Sequence, residues 1–417
     1  MAGRGGSGEE TVVIVGGGHA GAAACGFLRQ FGFTGGIVLL SEEDVLPYHR
    51  PPLSKGVLTG RAAAGPPPLR PANFYRDNGI DLRLGAKVTG IDRTTRTVTM
   101  LDGGEVRYDW LILAMGARPW DLRCSGRGLA GVHLLRTLRD AERLKAEFRA
   151  GRRLAIVGGG YIGLEVAASA RDCGMAVTVI EREARVLARV ASPWISEFVR
   201  RRHEAQGVHF RLERGLERIE GERGATREVM LDDGQVLPVD LLLLGIGGVP
   251  NQELAFEAGL RCDDGIVVDG AGRTDDPAIF ALGDVARQVI VPGTRGVRLE
   301  CVSGALDQAK RTSAAIALAP LPQRDVATFW SDQYDMKLQA AGVLDGAGAI
   351  VFRQAPGGGK AMAFHLCEGR IAGVEAVNAG ADFMAAKAMI AAGKAVDVVK
   401  LGDPDVPLGE VEVGQSG

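Results

Sequence analysis

VVIVGGGHAGAAACGFLRQFGFTGGIVLLSEE, residues 12–43, has a counterpart in residues 154–183, LAIVGGGYIGLEVAASARDCGMAVTVIERE. Each stretch begins with a short apolar run and continues through a GxGxxG loop and a run of small residues. A second apolar run follows and ends in an acid. The glycines recur 142 residues later, pairing Gly16 with Gly158, Gly18 with Gly160, Gly21 with Gly163, and Gly32 with Gly174. The repeat predicts two strand–loop–helix–strand units.

The glycine spacing is typical of a dinucleotide-binding loop. The first glycine turns the chain, the second lets backbone N–H groups approach a pyrophosphate, and the third lets helix and strand pack closely. The closing acid, Glu42 or Glu181, lies 26 or 23 residues after the first glycine, where a carboxylate can bind ribose hydroxyls. A single GxGxxG is weak evidence, but two copies in this context indicate two dinucleotides. The economical pair is FAD with a nicotinamide nucleotide.

Three further segments predict how the domains are connected. The segment TDDPAIFALGD, residues 274–284, matches the second FAD motif of flavoproteins that bind two dinucleotides. WLILAMGARP and LLLLGIGGVPN, residues 110–119 and 241–251, are apolar strands ending in small residues, as expected where the chain crosses between domains. Taken alone, either would be only a buried strand and a turn.

The predicted fold is α/β, with two Rossmann-like dinucleotide-binding domains in a glutathione-reductase-like arrangement and a C-terminal α+β domain. The FAD domain would comprise residues 10–117 and 245–325, and the NAD domain residues 118–244. Residues 326–417 would form the C-terminal domain. Its short alternating segments (TFWSDQY, MKLQAAG, AIVFRQ, MAFHLCE and RIAGVEAV) predict strands, followed by a helix near Phe383 to Ala392.

Composition narrows the class of protein. A net charge of −2 does not favour nucleic-acid binding, and the six scattered cysteines indicate reduced cytoplasmic thiols. No histidine or cysteine spacing indicates a metal site. The stretch TVVIVGGGHAGAAACGFL could pass for a signal peptide or membrane span. We interpret it as neither, because acids precede it and glycines interrupt it.

Several motifs together resemble the FAD-dependent NADH–ferredoxin reductases that serve bacterial cytochrome monooxygenases and Rieske oxygenases. These motifs are LPYHRPPLSK, GGGYIGLEVAA, GIGGVPN, FALGDVA, ECVSGALDQAK, FWSDQY and DPDVPL. The resemblance covers nearly the whole chain. It implies electron transfer from NADH through FAD to an iron–sulfur ferredoxin, most simply of the [2Fe-2S] type. Neither nucleic acid nor membrane is expected as a partner, and the chain is expected to be a monomer or weak dimer.

The resemblance also implies particular site residues. Lys55 would open a helix beside the flavin ring and pair with Glu165, while Tyr161 would cover the ring. The prolines before Lys55 would pre-set the backbone. Residues implied for FAD are Gly16, Gly18, His19, Ala20, Gly21, Glu42, Arg50, Lys55, Val88, Ala114, Arg136, Asp284 and Val302. Those for the nicotinamide nucleotide are Gly158, Gly160, Ile162, Gly163, Glu181 and Gly247.

Two functions remain open at this point. No cysteine occurs between Cys25 and Cys124, so disulfide chemistry has no residue near PPLSK to act through, which favours the ferredoxin reductase. The alternative is a redox sensor or interaction protein of the apoptosis-inducing-factor type, with both cofactors but no electron-accepting partner. For the reductase, Lys310 and Arg311 are the residues predicted to attract an acidic ferredoxin.

Overall fold

The structure is a computed structural model that describes residues 10–62, 64–289, 296–344, 348–354 and 359–412. By its internal contacts the chain divides into two units. The first unit comprises the chain up to His49, then Pro67–Arg118 and Gly248–Ala327. The second comprises Arg50–Pro66, Pro119–Gly247 and the chain from Thr328 onward.

A parallel five-stranded sheet forms the centre of the first unit. Its strands, in spatial order, are Ile279–Ala281, Trp110–Leu113, Thr11–Val15, Gly36–Leu40 and Ile80–Arg83. The central strand is a continuous β-branched run because both of its faces are covered; Val12, Val13 and Ile14 are all fully buried. Helices His19–Gln30 and Val302–Ile316 contact each other through the Ser313 hydroxyl, which donates to the Ala24 carbonyl.

Smaller elements complete the first unit. The strands Val88–Asp92, Thr97–Met100 and Glu105–Arg107 form an antiparallel sheet. The strands Ile266–Val268 and Ala286–Gln288 pair in parallel, and Ala117–Pro119 pairs with Gly248–Pro250 where the chain passes between units. The short helices are Ala72–Asp77 and Glu253–Glu257.

The second unit repeats the parallel sheet. Its strand order is Val208–Leu212, Ala176–Glu181, Arg153–Val157, Leu241–Leu244 and Val132–His133. The helices around it are Leu138–Glu147, Tyr161–Asp172 and Pro193–Ala205. An antiparallel sheet of Leu216–Glu222, Ala225–Leu231 and Val236–Pro238 is attached. The two GxGxxG stretches therefore occupy matching positions in the two parallel sheets.

The C-terminal part of the second unit is an antiparallel sheet. Its strand order is Thr328–Gln333, Met336–Gly342, Arg370–Val377, Ala361–Cys367 and Ala349–Gln354. Helices Gly380–Ala392 and Val398–Gly402 follow. All five predicted strands and the predicted helix are confirmed, as is the α/β fold class.

The two-unit division groups some residues differently from the predicted domains. Residues 50–66, predicted within the FAD domain, belong to the second unit, because Arg50, Ser54 and Lys55 bond to residues of that unit. The C-terminal sheet belongs there too. Leu164 and Val199 share one buried apolar cluster with Leu338.

Candidate functional site

The first glycine loop lies between strand Thr11–Val15 and helix His19–Gln30. A Cβ on Gly16 would lie 2.3 Å from the Ala114 carbonyl oxygen, and one on Gly21 would lie 2.0 Å from the Gly16 carbonyl oxygen. Gly16 also has φ +117°, a conformation that L-residues rarely adopt. Gly18, in contrast, has nothing within 4 Å of its Cβ position. The loop is tight toward the protein and open on the side where a pyrophosphate would approach.

The second glycine loop has the same geometry. A Cβ on Gly158, whose φ is +108°, would lie 2.3 Å from the Gly245 carbonyl oxygen. One on Gly163 would lie 2.2 Å from the Gly158 carbonyl oxygen, whereas Gly160 again has open space around it. Both loops therefore fit a dinucleotide phosphate group at the N-terminus of a helix.

The acids predicted to bind ribose are placed differently in the two loops. Gly16 N–H donates to the Leu40 carbonyl, and Gly158 N–H donates to the Ile180 carbonyl. Leu40 and Ile180 therefore occupy equivalent positions in the two units, and so do the residues after them, Ser41 and Glu181. Glu42 lies one residue further and forms an exposed ion pair with Lys87 at 2.8 Å. The Glu181 side chain instead contacts the second glycine loop, where its Oε2 accepts from Gly159 N–H at 2.6 Å. This offset, with a longer loop before strand Gly36–Leu40, explains the spacings of 26 and 23.

The first unit also gathers other residues predicted for FAD. Asp284 follows strand Ile279–Ala281 at the carboxyl edge of the sheet, the edge where the glycine loop lies. The neighbouring Gly283 approaches the first helix, since a Cβ there would be 3.1 Å from the Cβ of Ala20. Gln308 fixes this turn by accepting from Gly283 N–H at 2.6 Å. The prediction did not include Gln308.

The remaining predicted residues of this unit lie at element ends. Val302 begins its helix, Ala114 follows strand Trp110–Leu113, and His19 begins the first helix with its ring 5.5 Å from that of His49. Val88 begins a strand, but its side chain is buried in an apolar cluster. A contact from Val88 to a cofactor would therefore use its backbone.

In the second unit, Lys55 and Glu165 form a largely buried ion pair. Lys55 Nζ lies 2.7 Å from Glu165 Oε1, and their side chains are 23% and 3% exposed. Ser331 Oγ donates to the same carboxylate oxygen at 2.6 Å, and Ser54 Oγ donates to Oε2. Each oxygen of the Glu165 carboxylate thus has at least one hydrogen-bond donor, as a buried charge requires.

The prediction that Lys55 opens a helix is wrong. Pro51–Ser54 form one turn of 3-10 helix, and Lys55 ends that turn, with its N–H donating to the Pro52 carbonyl at 3.1 Å. Turns follow it. Pro51 and Pro52 explain this, because proline lacks an N–H and is favoured at the first positions of a helix. Arg50 precedes the turn and donates to the Arg136 carbonyl at 2.8 Å.

Tyr161 begins helix Tyr161–Asp172, directly after the second glycine loop. Its ring packs on Phe329 at 4.3 Å, with 37° between the planes. Burial, followed by the charges of Glu375 and Glu165, raises the pKa of Tyr161, so its hydroxyl is neutral at physiological pH. Ile162 beside it is 47% exposed, and Gly247 follows the strand Leu241–Leu244 with φ +106°.

Ser54, Ser331 and Phe329 were missed by the sequence reasoning. Ser54 and Ser331 lie inside motifs that carried the family resemblance, PPLSK and FWSDQY, but neither was singled out. The available signal was the alternation of FWSDQY, which places the polar residues Ser331 and Gln333 on one face of a strand.

The family model for pyridine nucleotide-disulphide oxidoreductases matches residues 10–309, and the reductase C-terminal model matches residues 328–411. The chain belongs to the pyridine nucleotide-disulphide oxidoreductase family. Family membership and the predicted cofactors FAD and NAD(H) agree with the two loops.

Similar proteins are ferredoxin reductases over nearly their full length. A probable ferredoxin reductase CtmF of Castellaniella defragrans is 45% identical, covering 95% of this chain and 98% of that protein. Putidaredoxin reductase CamA of Pseudomonas putida is 40% identical, covering 97% of each. The solved covalent putidaredoxin reductase–putidaredoxin complex matches with a TM-score of 0.92 at 38% identity, covering 96% of this chain and 97% of that one. The prediction of a ferredoxin reductase is confirmed.

The described residues include no group of three His, Cys, Asp or Glu side chains that could hold a metal ion. In the same part of the chain, every helix is too short or too polar to cross a bilayer.

Proposed function

We propose that the chain is an NADH:ferredoxin oxidoreductase that uses FAD. When bound, FAD accepts a hydride from NADH and releases the two electrons singly to an iron–sulfur protein. The observation that carries this function is the full-length likeness to ferredoxin reductases, including the C-terminal sheet. The six cysteines agree with it, because all are free thiols and burial raises the pKa of the Cys25 thiol to about 12.

The glycine loop of the first unit would bind FAD, and that of the second unit would bind the nicotinamide nucleotide. The first glycine loop would receive the FAD pyrophosphate, Glu42 the ribose, and Asp284 the ribityl chain. The predicted division into FAD, NAD and C-terminal domains would describe these roles. The remaining residues proposed for FAD are His19, Ala20, Arg50, Val88, Ala114, Arg136 and Val302, and those for the nicotinamide nucleotide are Ile162 and Gly247.

Lys55 is proposed to stabilise the negative charge that develops when the flavin is reduced. An ammonium group in a site with little water does this more strongly than one in bulk solvent. Glu165 would hold Lys55 in place through their 2.7 Å ion pair. Tyr161, packed on Phe329, would act as the cover of the ring.

NADH is proposed as the preferred reductant. Glu181, held by Gly159 N–H, would accept from ribose hydroxyls and repel a 2′-phosphate. Arginines nearby could reverse this preference. Arg185, however, already donates to the carbonyls of Ala188 and Ala191 at 2.7 and 2.8 Å. Arg182 is exposed, so of these two arginines it is the one still available to a 2′-phosphate.

The ferredoxin is proposed to be of the [2Fe-2S] type and to pass electrons to a cytochrome monooxygenase or Rieske oxygenase. The proposed location is the cytoplasm, because NADH and reduced thiols occur there. The chain is proposed to be a monomer or weak dimer. Membrane and nucleic acid would play no part.

The test is the stoichiometry of electron transfer. Purified protein should reduce two equivalents of a [2Fe-2S] ferredoxin for each NADH, followed by ferredoxin absorbance, because a hydride carries two electrons. A protein of the apoptosis-inducing-factor type would bleach its flavin with NADH, form a long-lived complex and reduce ferredoxin hardly at all. That outcome would contradict the proposal.

A further inference from the structure

A line of buried polar side chains runs from Glu165 through the C-terminal sheet. Ser331 Oγ is 2.6 Å from Glu165 Oε1, and Gln333 Nε2 is 3.0 Å from Ser331 Oγ. Gln333 Oε1 is 2.8 Å from His203 Nε2, and the Tyr334 hydroxyl makes a long contact of 3.5 Å with His203 Nδ1. Glu165, Ser331, Gln333 and His203 are each at most 3% exposed.

The strand that carries Ser331 buries two polar residues and exposes an aromatic one, which is unusual for a strand. Ser331 and Gln333 face inward, whereas Trp330 is 37% exposed and Asp332 is exposed. A strand on a protein surface normally buries its apolar residues and exposes its polar ones. Such a departure from the local rule is expected where a polar group has a function.

The number of hydrogens on each side chain fixes which group donates in each hydrogen bond from Glu165 to His203. The Ser331 hydroxyl has one hydrogen, and the Glu165 carboxylate, paired with Lys55, can only accept it. Ser331 must then accept from the amide NH₂ of Gln333, which turns the amide oxygen toward His203. His203 must therefore carry its hydrogen on Nε2, and every donor in the line points toward Glu165.

Burial is consistent with a neutral imidazole at the far end. Desolvation lowers the pKa of His203 to about 4, while its hydrogen bond to Gln333 and the charge of Arg202 have smaller effects. A neutral ring donates from Nε2 and leaves Nδ1 as the acceptor that faces Tyr334. Successive hydrogen bonds in one direction strengthen one another inside a protein.

We propose that Ser331 is a positioning residue that holds the Glu165 carboxylate against Lys55, and that Gln333 and His203 hold Ser331 in its donating orientation. The inference rests on the proposed function in one respect, the role of Lys55 and Glu165 in flavin reduction. Ser331 acts only through Glu165 in this scheme.

The first experiment tests the direction without cofactor or turnover. In protein labelled with ¹⁵N-histidine, the His203 signal, identified by its absence in His203→Gln, should show the neutral Nε2–H form at pH 7. The Nδ1–H form would overturn the inference. Because this measurement needs neither NADH nor ferredoxin, the inference and the proposed function can fail separately.

The second experiment tests whether Ser331 acts through Glu165. Ser331→Ala should slow the reduction of bound flavin by NADH about tenfold, with little change in the KM for NADH, and should shift the flavin midpoint potential. In a Glu165→Gln background the same substitution should change the rate less than about twofold, since coupled residues are not additive. An equal loss in both backgrounds would contradict the inference.

A matched control is Ser313→Ala. Ser313 is also fully buried, and its hydroxyl donates to a backbone carbonyl, that of Ala24. We expect this variant to keep the wild-type rate and midpoint potential. If it shifts both as Ser331→Ala does, loss of any buried hydroxyl would account for the effect and the assignment of Ser331 would be wrong.

Discussion

Lys55 Nζ lies 2.7 Å from the Oε1 of Glu165, and the carboxylate is 3% exposed. Removing one partner of such a pair leaves a buried charge unpaired, which destabilises a protein more than losing a surface ion pair. Lys55 and Glu165 are therefore expected to act together in stabilising the protein, as well as in their proposed role in flavin reduction.

Lys55→Met separates these two effects. We expect the free energy of unfolding to fall by about 3 kcal/mol, and flavin reduction by NADH to slow at least about tenfold. Adding Glu165→Gln should restore most of the stability, measured by urea unfolding, because a neutral amide can be buried without a counter-ion. It should not restore the rate in stopped-flow measurements. Recovery of both would mean that Lys55 has only a structural role.

Glu181 sets the second prediction. Glu181→Ala should lower kcat/KM for NADH, because contacts to the ribose hydroxyls are lost, and raise it for NADPH, because the 2′-phosphate is no longer repelled. The preference for NADH should shrink at least about tenfold. Glu183→Ala is the control. Glu183 is exposed and bonds to Glu181 only through its backbone N–H, at 2.9 Å. An unchanged NADH to NADPH ratio in Glu181→Ala would contradict the proposed ribose contact.

Asp284 sets the third prediction. Asp284→Ala should reduce the flavin retained after dialysis, measured by visible absorbance per chain, because a hydrogen bond to the ribityl group would be lost. The loss in affinity should be about tenfold. Asp275→Ala, on an exposed residue nine positions earlier in the chain, should retain the wild-type flavin content. Equal retention in both variants would remove Asp284 from the FAD site.

The repeated elements could be predicted from the sequence because their signals are local. Gly16 and Gly158 are glycines because neighbouring carbonyl oxygens leave no room for a Cβ, and that demand recurs with the strand and helix around it. The strands of the C-terminal sheet were equally predictable from their alternation. These features need only neighbouring residues.

Contacts between distant residues could not be predicted in this way. Ser54 and Ser331 lie 111 and 166 residues from Glu165, and a single serine carries no periodic signal. Arg311 makes contacts of the same kind, because it donates to the carbonyls of Gly270, at 3.0 Å, and Pro322. Lys310, which is exposed, and Arg311 remain the predicted docking residues.

The lowered pKa of His203 predicts how the free energy of unfolding depends on pH. Burial lowers its pKa from 6.5 to about 4, so the unfolded chain binds a proton between these values while the folded chain does not. Protonation thus favours unfolding as the pH falls below about 6.5, and the loss levels off below about 4. Between pH 8 and pH 5 this one residue should remove about 2 kcal/mol from the free energy of unfolding.

His203→Gln isolates that contribution, because glutamine does not titrate and can still bond to Gln333. Urea unfolding at pH 8 and pH 5 should show a smaller loss of stability in the variant, by about 2 kcal/mol, whatever its stability at pH 8. The comparison within each protein cancels the effect of lost packing against Phe210 and Tyr334. If both proteins lose the same amount between the two pH values, His203 is not neutral in the folded chain. The donor direction toward Glu165 would then lose one of its supports.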